Sequence, residues 1–273
     1  MKRKQMISNA ILGVILLVLG CMVCFPFFWM ILSSFKTNLE IGQGVPTFLP
    51  QKPTTDNYGN LFQNMQFGLY LKNTLLITVL SFVGVLFNAM AGYGFAKFNF
   101  KGKNFFFVLV LCTLMIPSQV TMIPIYVIMN QVKLTDTFIG IVLPTLVSGF
   151  NIFLFRQFIS TISDDFLEAA KIDGAGQAYI FSKIIMPLTK PILSLQIILT
   201  FISGWNSFLW PLIMSNDDSH YTLSVGLALM QNANSLDFGL LMAGATIMII
   251  PVLVIYAIFQ KQIIKGISLS NYK

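Results

Sequence analysis

His220, the only histidine of the chain, follows Asp217 and Asp218 closely enough for the three side chains to meet around a metal ion. Metal sites need several ligands in defined places, so this group is read as a hydrated polar loop and no metal is expected. Cys21 and Cys24 form a CxxC pair, but they lie inside an apolar run with no other Cys or His nearby in sequence, and Cys112 also lies in an apolar run. Such cysteines serve as small packing residues. KGKN at 101–104 has the Gly-Lys pair of a phosphate loop without its upstream glycine or following hydroxyl, and GAGQAY at 174–179 lacks the last glycine of a dinucleotide fingerprint. No nucleophile has an evident base. The chain is expected to be no enzyme and to hold no cofactor itself.

One grouping is left: DDFLEAAKIDGAG, Asp164 to Gly176, which sets four carboxylates and a pair of alanines between two strongly apolar runs. Ser163, Asp164 or Asp165 can cap a helix, Glu168 suits its first turn, and Gly174 and Gly176 can end it. On that helix Phe166, Ala169, Ala170 and Asp173 fall at three- and four-residue spacings, a narrow side nearly bare of bulk. Such a helix suits a groove in another protein. A solvated amphipathic loop on a membrane surface is the competing reading. A second helix, from about Gln177 to Met186, is expected to stop at Pro187.

The elements that must position these residues follow from composition. Of 273 residues 56% are hydrophobic and only 10% charged, where a soluble domain carries about 25% charged residues. Charge-free intervals at 5–35, 73–96, 104–132, 137–155, 191–216 and 238–260 are each long enough to cross a bilayer as a helix, so six spans are expected. The interval 219–236 is too polar to join them. MKRK at the start could open a signal peptide, but the apolar run after it is too long and lacks a cleavage pattern, so it reads as the first span.

Six spans put both termini on one side. With the loops near 97–103 and 156–190, that side collects 13 of the 17 basic residues and leaves Lys36, Lys52, Lys72 and Lys133 opposite, so it is expected to be cytoplasmic. The net charge of +7 thus reflects topology, and no nucleic-acid partner is expected. The segment 36–70 reads as a loop over the outer face. Span two carries Gly84, Ala89, Ala91, Gly92, Gly94 and Ala96, small residues that let helices approach in lipid, and is expected at the centre of the bundle. Pro26, Pro117, Pro124, Pro144 and Pro251 predict bends in spans one, three, four and six. No ionisable residue is stranded mid-span, which argues against a carrier driven by an ion gradient.

Glu168-Ala169-Ala170, Gly174 after three residues, Ile184 after nine more, and the closing Met186-Pro187 resemble the EAA motif of permeases in ABC import systems. The family pattern ends in Ile-x-Leu-Pro, so Met186 is a conservative departure. PFFWMILSSFKTNLEI, LKNTLLIT, IPSQVTMIPIYVI and WNSFLWPLIM resemble the carbohydrate-uptake branch, and in particular the smaller permease of maltose-type importers. The ending QKQIIKGISLSNYK departs from the glycine-rich tail frequent there.

The resemblance implies an all-α, polytopic membrane protein with six transmembrane helices and the type I ABC importer permease fold. Its parts would be an N-terminal stub, first span and external loop (1–69), a permease core (70–260) with the coupling loop at 163–187, and a cytoplasmic tail (261–273). It implies a homologous second permease, two copies of a cytoplasmic ATPase that hold ATP and Mg, an extracytoplasmic solute-binding protein and membrane lipid as partners. Glu168, Ala169, Ala170, Asp173, Gly174, Ile184 and Pro187 would couple to the ATPase. The loop of about 215–236 would reach the binding protein, with Asp217, Asp218, His220 and Tyr221 as contacts.

For cargo, the polar and aromatic residues within spans are Asn88, Gln119, Asn151, Gln196, Trp205, Asn206 and Trp210. Amides can bond sugar hydroxyls and indoles can stack on sugar faces, without asking for a charged ligand. A glycerol phosphate or similar polyol derivative is the alternative cargo, and a channel or receptor needing no ATPase is the alternative machine.

Overall fold

The computed structural model describes the backbone of residues 2–43, 47–233 and 237–269, with side chains for 9–43, 47–230 and 237–260. Among the described residues there is no β-strand. The helices are α1 (Lys2–Ser33), α2 (Asn38–Ile41), α3 (Asp56–Asn64), α4 (Phe67–Lys97), α5 (Lys103–Thr113), α6 (Ser118–Gln131), α7 (Phe138–Val142), α8 (Gly149–Ile159), α9 (Asp165–Ile172), α10 (Gln177–Tyr179), α11 (Met186–Leu188), α12 (Lys190–Trp205), α13 (Leu209–Met214), α14 (Leu223–Ala233) and α15 (Phe238–Leu269).

Three of these are continuous and apolar enough to cross a membrane: α1 from Asn9, α4, and α15 to Gln260. Three further crossings are bent pairs, α5 with α6 at 102°, Phe138–Thr145 with α8 at 48°, and Gln177–Leu188 with α12 at 83°, which makes six if each pair is one span. The bends expected in spans three and four are present, and the prolines differ in whether they break the helix. Helices α1 and α15 run through Pro26 and Pro251 unbroken, whereas Pro117 and Pro144 sit beside true breaks. The interval 191–216 is not one helix either: α12 ends at Trp205, and α13 begins after Asn206 to Phe208.

The chain divides into two compact units, Met1–Phe67 with Leu227–Pro251, and Gly68–Gly226 with Val252–Lys273. In the first unit a polar knot ties the segment after α1. Asn57 donates to the carbonyls of Ser34 and Lys36, both at 2.8 Å, and Glu40 accepts from Thr47 Oγ1 and the Gln51 amide. Buried Lys36 donates to the Thr47 carbonyl and lies over the Trp29 ring.

The second unit is built around α4. Its buried residues, Tyr70, Asn73, Thr74, Ile77, Thr78, Gly84, Val85, Asn88, Ala89, Gly92 and Tyr93, form one stripe of helical period. Leu75, Val79, Val83, Leu86, Phe87 and Met90 face outward. The polarity is inverted relative to a soluble helix because lipid is as apolar as leucine, so close approach of small and hydrogen-bonding groups decides the inner face. A Cβ on Gly84 would strike the Leu146 carbonyl, one on Gly92 the Phe155 side chain, and one on Gly204 of α12 the Thr78 backbone. Within this unit span two is central, as the small residues led one to expect.

The tail expected from 261 has no break at its start, since α15 continues to Leu269; residues 270–273 lie outside the described residues, as do 234–236 of the loop expected to reach a binding protein.

Candidate functional site

Helix α9 has eight residues and no side-chain cap, although Asp164 stands at the cap position. The reason is a competing partner: the Asp164 carboxylate takes the Lys97 ammonium at 2.6 Å, and the same ammonium bonds the Ile162 carbonyl at 2.5 Å. The hydrogen bond and charge of Lys97 hold the Asp164 carboxyl below its ordinary range. Ser163 Oγ bonds the Asp165 carboxylate and accepts from its amide. At the other end Gly174 takes φ +81°, and the Ala175 amide closes on the Ala170 carbonyl, a glycine-type helix stop.

Leu167 and Ala170 turn inward onto a core of Val85, Ala89, Tyr93, Phe155, Ile159, Ile180, Ile185 and Ile192. This corrects the expectation that both alanines face a partner. Ala169 is exposed and Ala170 is buried, because the turn from α9 into Gln177–Leu188 needs an apolar floor. The outward side carries Phe166, Glu168, Ala169, Ile172 and Asp173, with Ile172 86% exposed, a large apolar group left in the open at a loop. Beside it a groove of about 580 Å³ is lined by Ala170, Asp173, Gly174, Ala175, Gly176, Tyr179, Lys183 and Ile184. Pro187 does not stop the second helix. A wide π-type turn over Ile180–Ile185 passes into α11 through Pro187, which is exposed and sits where its missing N–H is not needed.

The residues expected along a substrate pathway do not share one surface. Asn88 is a clamp: its Nδ2 donates to the Gly84 and Leu146 carbonyls at 2.6 and 2.9 Å, and its Oδ1 accepts from the Ser148 amide at 3.0 Å. It thereby satisfies backbone groups at the break before α8, where no intrahelical bond is available. Trp205 is 3% exposed and stacks on Phe201 with centroids 5.8 Å apart, a core role rather than an open indole face. Trp210 packs beside Ile77, Ile141, Val142 and Met214. Gln196 is wholly buried, and neither amide atom has a hydrogen-bond partner among the described residues. Gln119 and Asn206 are exposed.

Asn151 lines a cavity of about 320 Å³ with Ser81, Gly84, Val85, Asn88, Thr145, Leu146, Ser148, Phe150, Leu199, Thr200 and Ser203. The lining is rich in hydroxyls and amides and contains no charged side chain. Such a surface can exchange hydrogen bonds with hydroxyls and makes no ion pair.

At the Asn73 end of α4 lies the turn Asp218–His220. Asn73 Nδ2 donates to the carbonyls of Ser219 and Tyr221 at 2.8 and 3.0 Å, and Thr74 Oγ1 accepts from the Leu223 amide at 2.9 Å. His220 Nδ1 lies 2.8 Å from Ser219 Oγ and 3.2 Å from Asp136 Oδ1, with the ring edge-on to Phe138. Asp136, Asp217 and His220 bring one ligand atom each within 4.8 Å of one another. Asp136 also accepts from the Asn216 amide, and Asp217, held below its ordinary range by the Ser219 hydrogen bonds, accepts from the Ser219 amide. Asp217 and Asp218 are exposed; His220 and Tyr221 are half-buried.

Sequence reasoning missed Asn73, Thr74, Tyr93, Lys97 and Asp136. The first three lie on the inner stripe of α4, whose spacing could have marked them, but nothing local couples Asp136 to His220.

Residues 84–269 match the family model described as binding-protein-dependent transport system inner membrane component. The chain is 34% identical over its whole length, and that of its relative, to the arabinooligosaccharides transport system permease protein AraQ of Halalkalibacterium halodurans. It is 31% identical to the lactose transport system permease protein LacG of Rhizobium radiobacter, covering 89% of this chain and 88% of that one. The sn-glycerol-3-phosphate transport system permease protein UgpE of Yersinia pestis is 30% identical, covering 93% of this chain and 94% of the relative. Among solved structures, a chain of a bacterial ABC transporter involved in the import of the acidic polysaccharide alginate superposes with a TM-score of 0.80 at 26% identity, covering 95% of this chain and 97% of that one.

Proposed function

Because this chain belongs to the binding-protein-dependent transport system inner membrane components, the membrane-spanning permeases of ABC importers, we propose that its cargo is a neutral sugar or short oligosaccharide. The observation that carries this reading is the cavity around Asn151, whose lining offers hydroxyls and an amide and no charge. The names of the arabinooligosaccharide and lactose relatives support the same cargo. The glycerol-phosphate relative supports a phosphorylated polyol instead, but a phosphate asks for arginine or lysine, which this lining lacks.

The machine proposed has this chain as one half of the pathway, a homologous permease as the other, two ATPase copies holding ATP and Mg, and a solute-binding protein. ATP hydrolysis lies on the ATPase. Both termini and α9 face the cytoplasm, on the basic side of the chain, and the turn at Asp217 to Tyr221 faces the binding protein. The outward face of α9, with Phe166, Ala169, Ile172 and Asp173, docks on the ATPase together with the groove lined by Gly174 and Ile184. Closure of the ATPase pair then moves α9, and the pathway alternates by rigid-body switching.

Uptake of labelled arabinose oligosaccharide and of labelled glycerol phosphate by cells carrying the intact system tests the cargo. Sugar uptake reduced about tenfold in Asn151→Leu, with glycerol phosphate never accumulated, is expected. Accumulation of the phosphate and not the sugar would replace the reading. Docking is tested at Gly174, where no atom lies within 4 Å of an added Cβ and only the positive φ resists substitution. Gly174→Asn tolerates that φ yet adds bulk, so loss of transport with the chain still folded marks a partner surface. Full transport by Gly174→Asn would remove the groove from the interface.

A further inference from the structure

Helix α4 grips the backbone at both of its ends. At one end Asn73 and Thr74, 1% and 0% exposed, hold the Ser219 and Tyr221 carbonyls and the Leu223 amide. At the other end Lys97 holds the Ile162 carbonyl and the Asp164 carboxylate, just before α9. Tyr93 Oη donates to Gln177 Oε1 at 3.1 Å, just after α9. The coupling helix is therefore pinned to α4 on both flanks. Between the two grips α4 has no proline and no break, and Asn73 and Lys97 are separated by about 36 Å at roughly 1.5 Å per residue. The other crossings differ: α1 and α15 contain proline, and the other three are bent by 48° to 102°.

We propose that α4 is a rigid rod linking the 219–223 turn to the coupling helix, with Asn73, Thr74, Tyr93 and Lys97 as the positioning residues that fasten its ends. The proposal rests on α9 being the helix that meets the ATPase. A displacement of α9 is delivered to Lys97 and Tyr93. An unbroken helix does not absorb it as a bent one does, and it emerges where Asn73 and Thr74 hold the turn. The grips use neutral hydrogen bonds at one end and an ion pair at the other, each made to backbone or to a residue adjoining the helix it moves. Coupling between distant sites travels through such rigid elements and bonded networks when they connect two arrangements.

The test sends a signal in at one end and reads it at the other. The complex containing this chain is placed in lipid nanodiscs and trapped with Mg-ATP and vanadate, and hydrogen exchange is followed in peptides covering 163–174 and 219–226. In the unmodified complex, trapping is expected to change exchange in both peptides by at least about twofold. Tyr93→Phe removes the bond to Gln177, and Thr74→Val removes both the bond from the Leu223 amide and the one to the Tyr70 carbonyl, each with little change of shape; in both, the 163–174 response remains and the 219–226 response falls to less than half. Thr74→Ser, which keeps the acceptor, restores it. Lys97→Gln gives the largest loss, and the two milder variants keep the test decisive if it fails to fold. A 219–226 response that survives Tyr93→Phe and Thr74→Val at full size overturns the rod. A response in 163–174 alone in the unmodified complex overturns it too, while leaving coupling by α9 intact. No response in 163–174 overturns the coupling role of α9, and the rod with it.

Discussion

Helices α1 and α4 are nearly equal in length, 32 and 31 residues, and both are apolar enough to span a bilayer, yet none of the most apolar window of α1 is buried while 39% of that of α4 is. The more apolar helix is the less involved one. In lipid, apolarity records where a helix meets hydrocarbon, and it says little about which helix holds the protein together. What distinguishes α4 is its inner stripe of glycine, alanine, threonine and asparagine.

The harshest way to break this contrast is to add bulk to glycines on both helices. Gly84→Leu drives a side chain into the Leu146 carbonyl, while Gly13→Leu and Gly20→Leu meet no atom within 4 Å. Overpacking typically costs about 1–3 kcal/mol, and overlap with rigid backbone falls at or above the upper end. Gly84→Leu is expected to abolish the monodisperse detergent-solubilised chain, and the two α1 variants to match the parent in size-exclusion profile and yield. A normal profile for Gly84→Leu would mean that α4 does not approach the break before α8 as closely as described.

A milder break removes the clamp and keeps the volume. Asn88→Leu leaves the Leu146 carbonyl and the Ser148 amide without their side-chain partner, at about 1–3 kcal/mol for each group left unsatisfied. Thermal unfolding in detergent is expected to shift down by several degrees. An unchanged Tm would show that the break supports itself.

The smallest effect sharpens the contrast at one end of α4. Since Lys97 depresses the Asp164 carboxyl in the folded chain, their pairing adds stability above the ordinary carboxylate pKa. It is lost as pH falls through the depressed folded value. Exchange of the α9 amides, corrected for intrinsic rates, is expected to be flat at mildly acidic and neutral pH and to rise at strongly acidic pH, with α1 unaffected. In Lys97→Gln the α9 rise should be absent; if it persists, another carboxylate controls the pin.

The spans and the centrality of α4 were readable because they depend on local composition: uninterrupted apolar runs, and small residues at helical spacing. The helix α9 and the turn after it were readable because their motif is contiguous. What escaped depends on partners far away in sequence. Asn88 looked like a free amide until Leu146 and Ser148 came beside it, and Trp205 looked like a stacking platform until Phe201 covered it. Ala169 and Ala170 are alike in composition, and only the packing of α9 distinguishes their faces. Proline was a poor guide to breaks, since a helix tolerates it where neighbouring groups absorb the freed carbonyl.

The way Asn73 holds the 219–221 turn has a consequence for change over time. Its amide takes hold of carbonyl oxygens, which every amino acid supplies, and leaves the side chain of Ser219 out of the fastening, while the Tyr221 ring packs on Tyr70 of the same helix. The turn can therefore exchange its side chain at 219 while its mount stays the same. On the proposed reading that this turn meets a solute-binding protein, substitution at 219 retunes that contact without redesign of the helix that carries the turn.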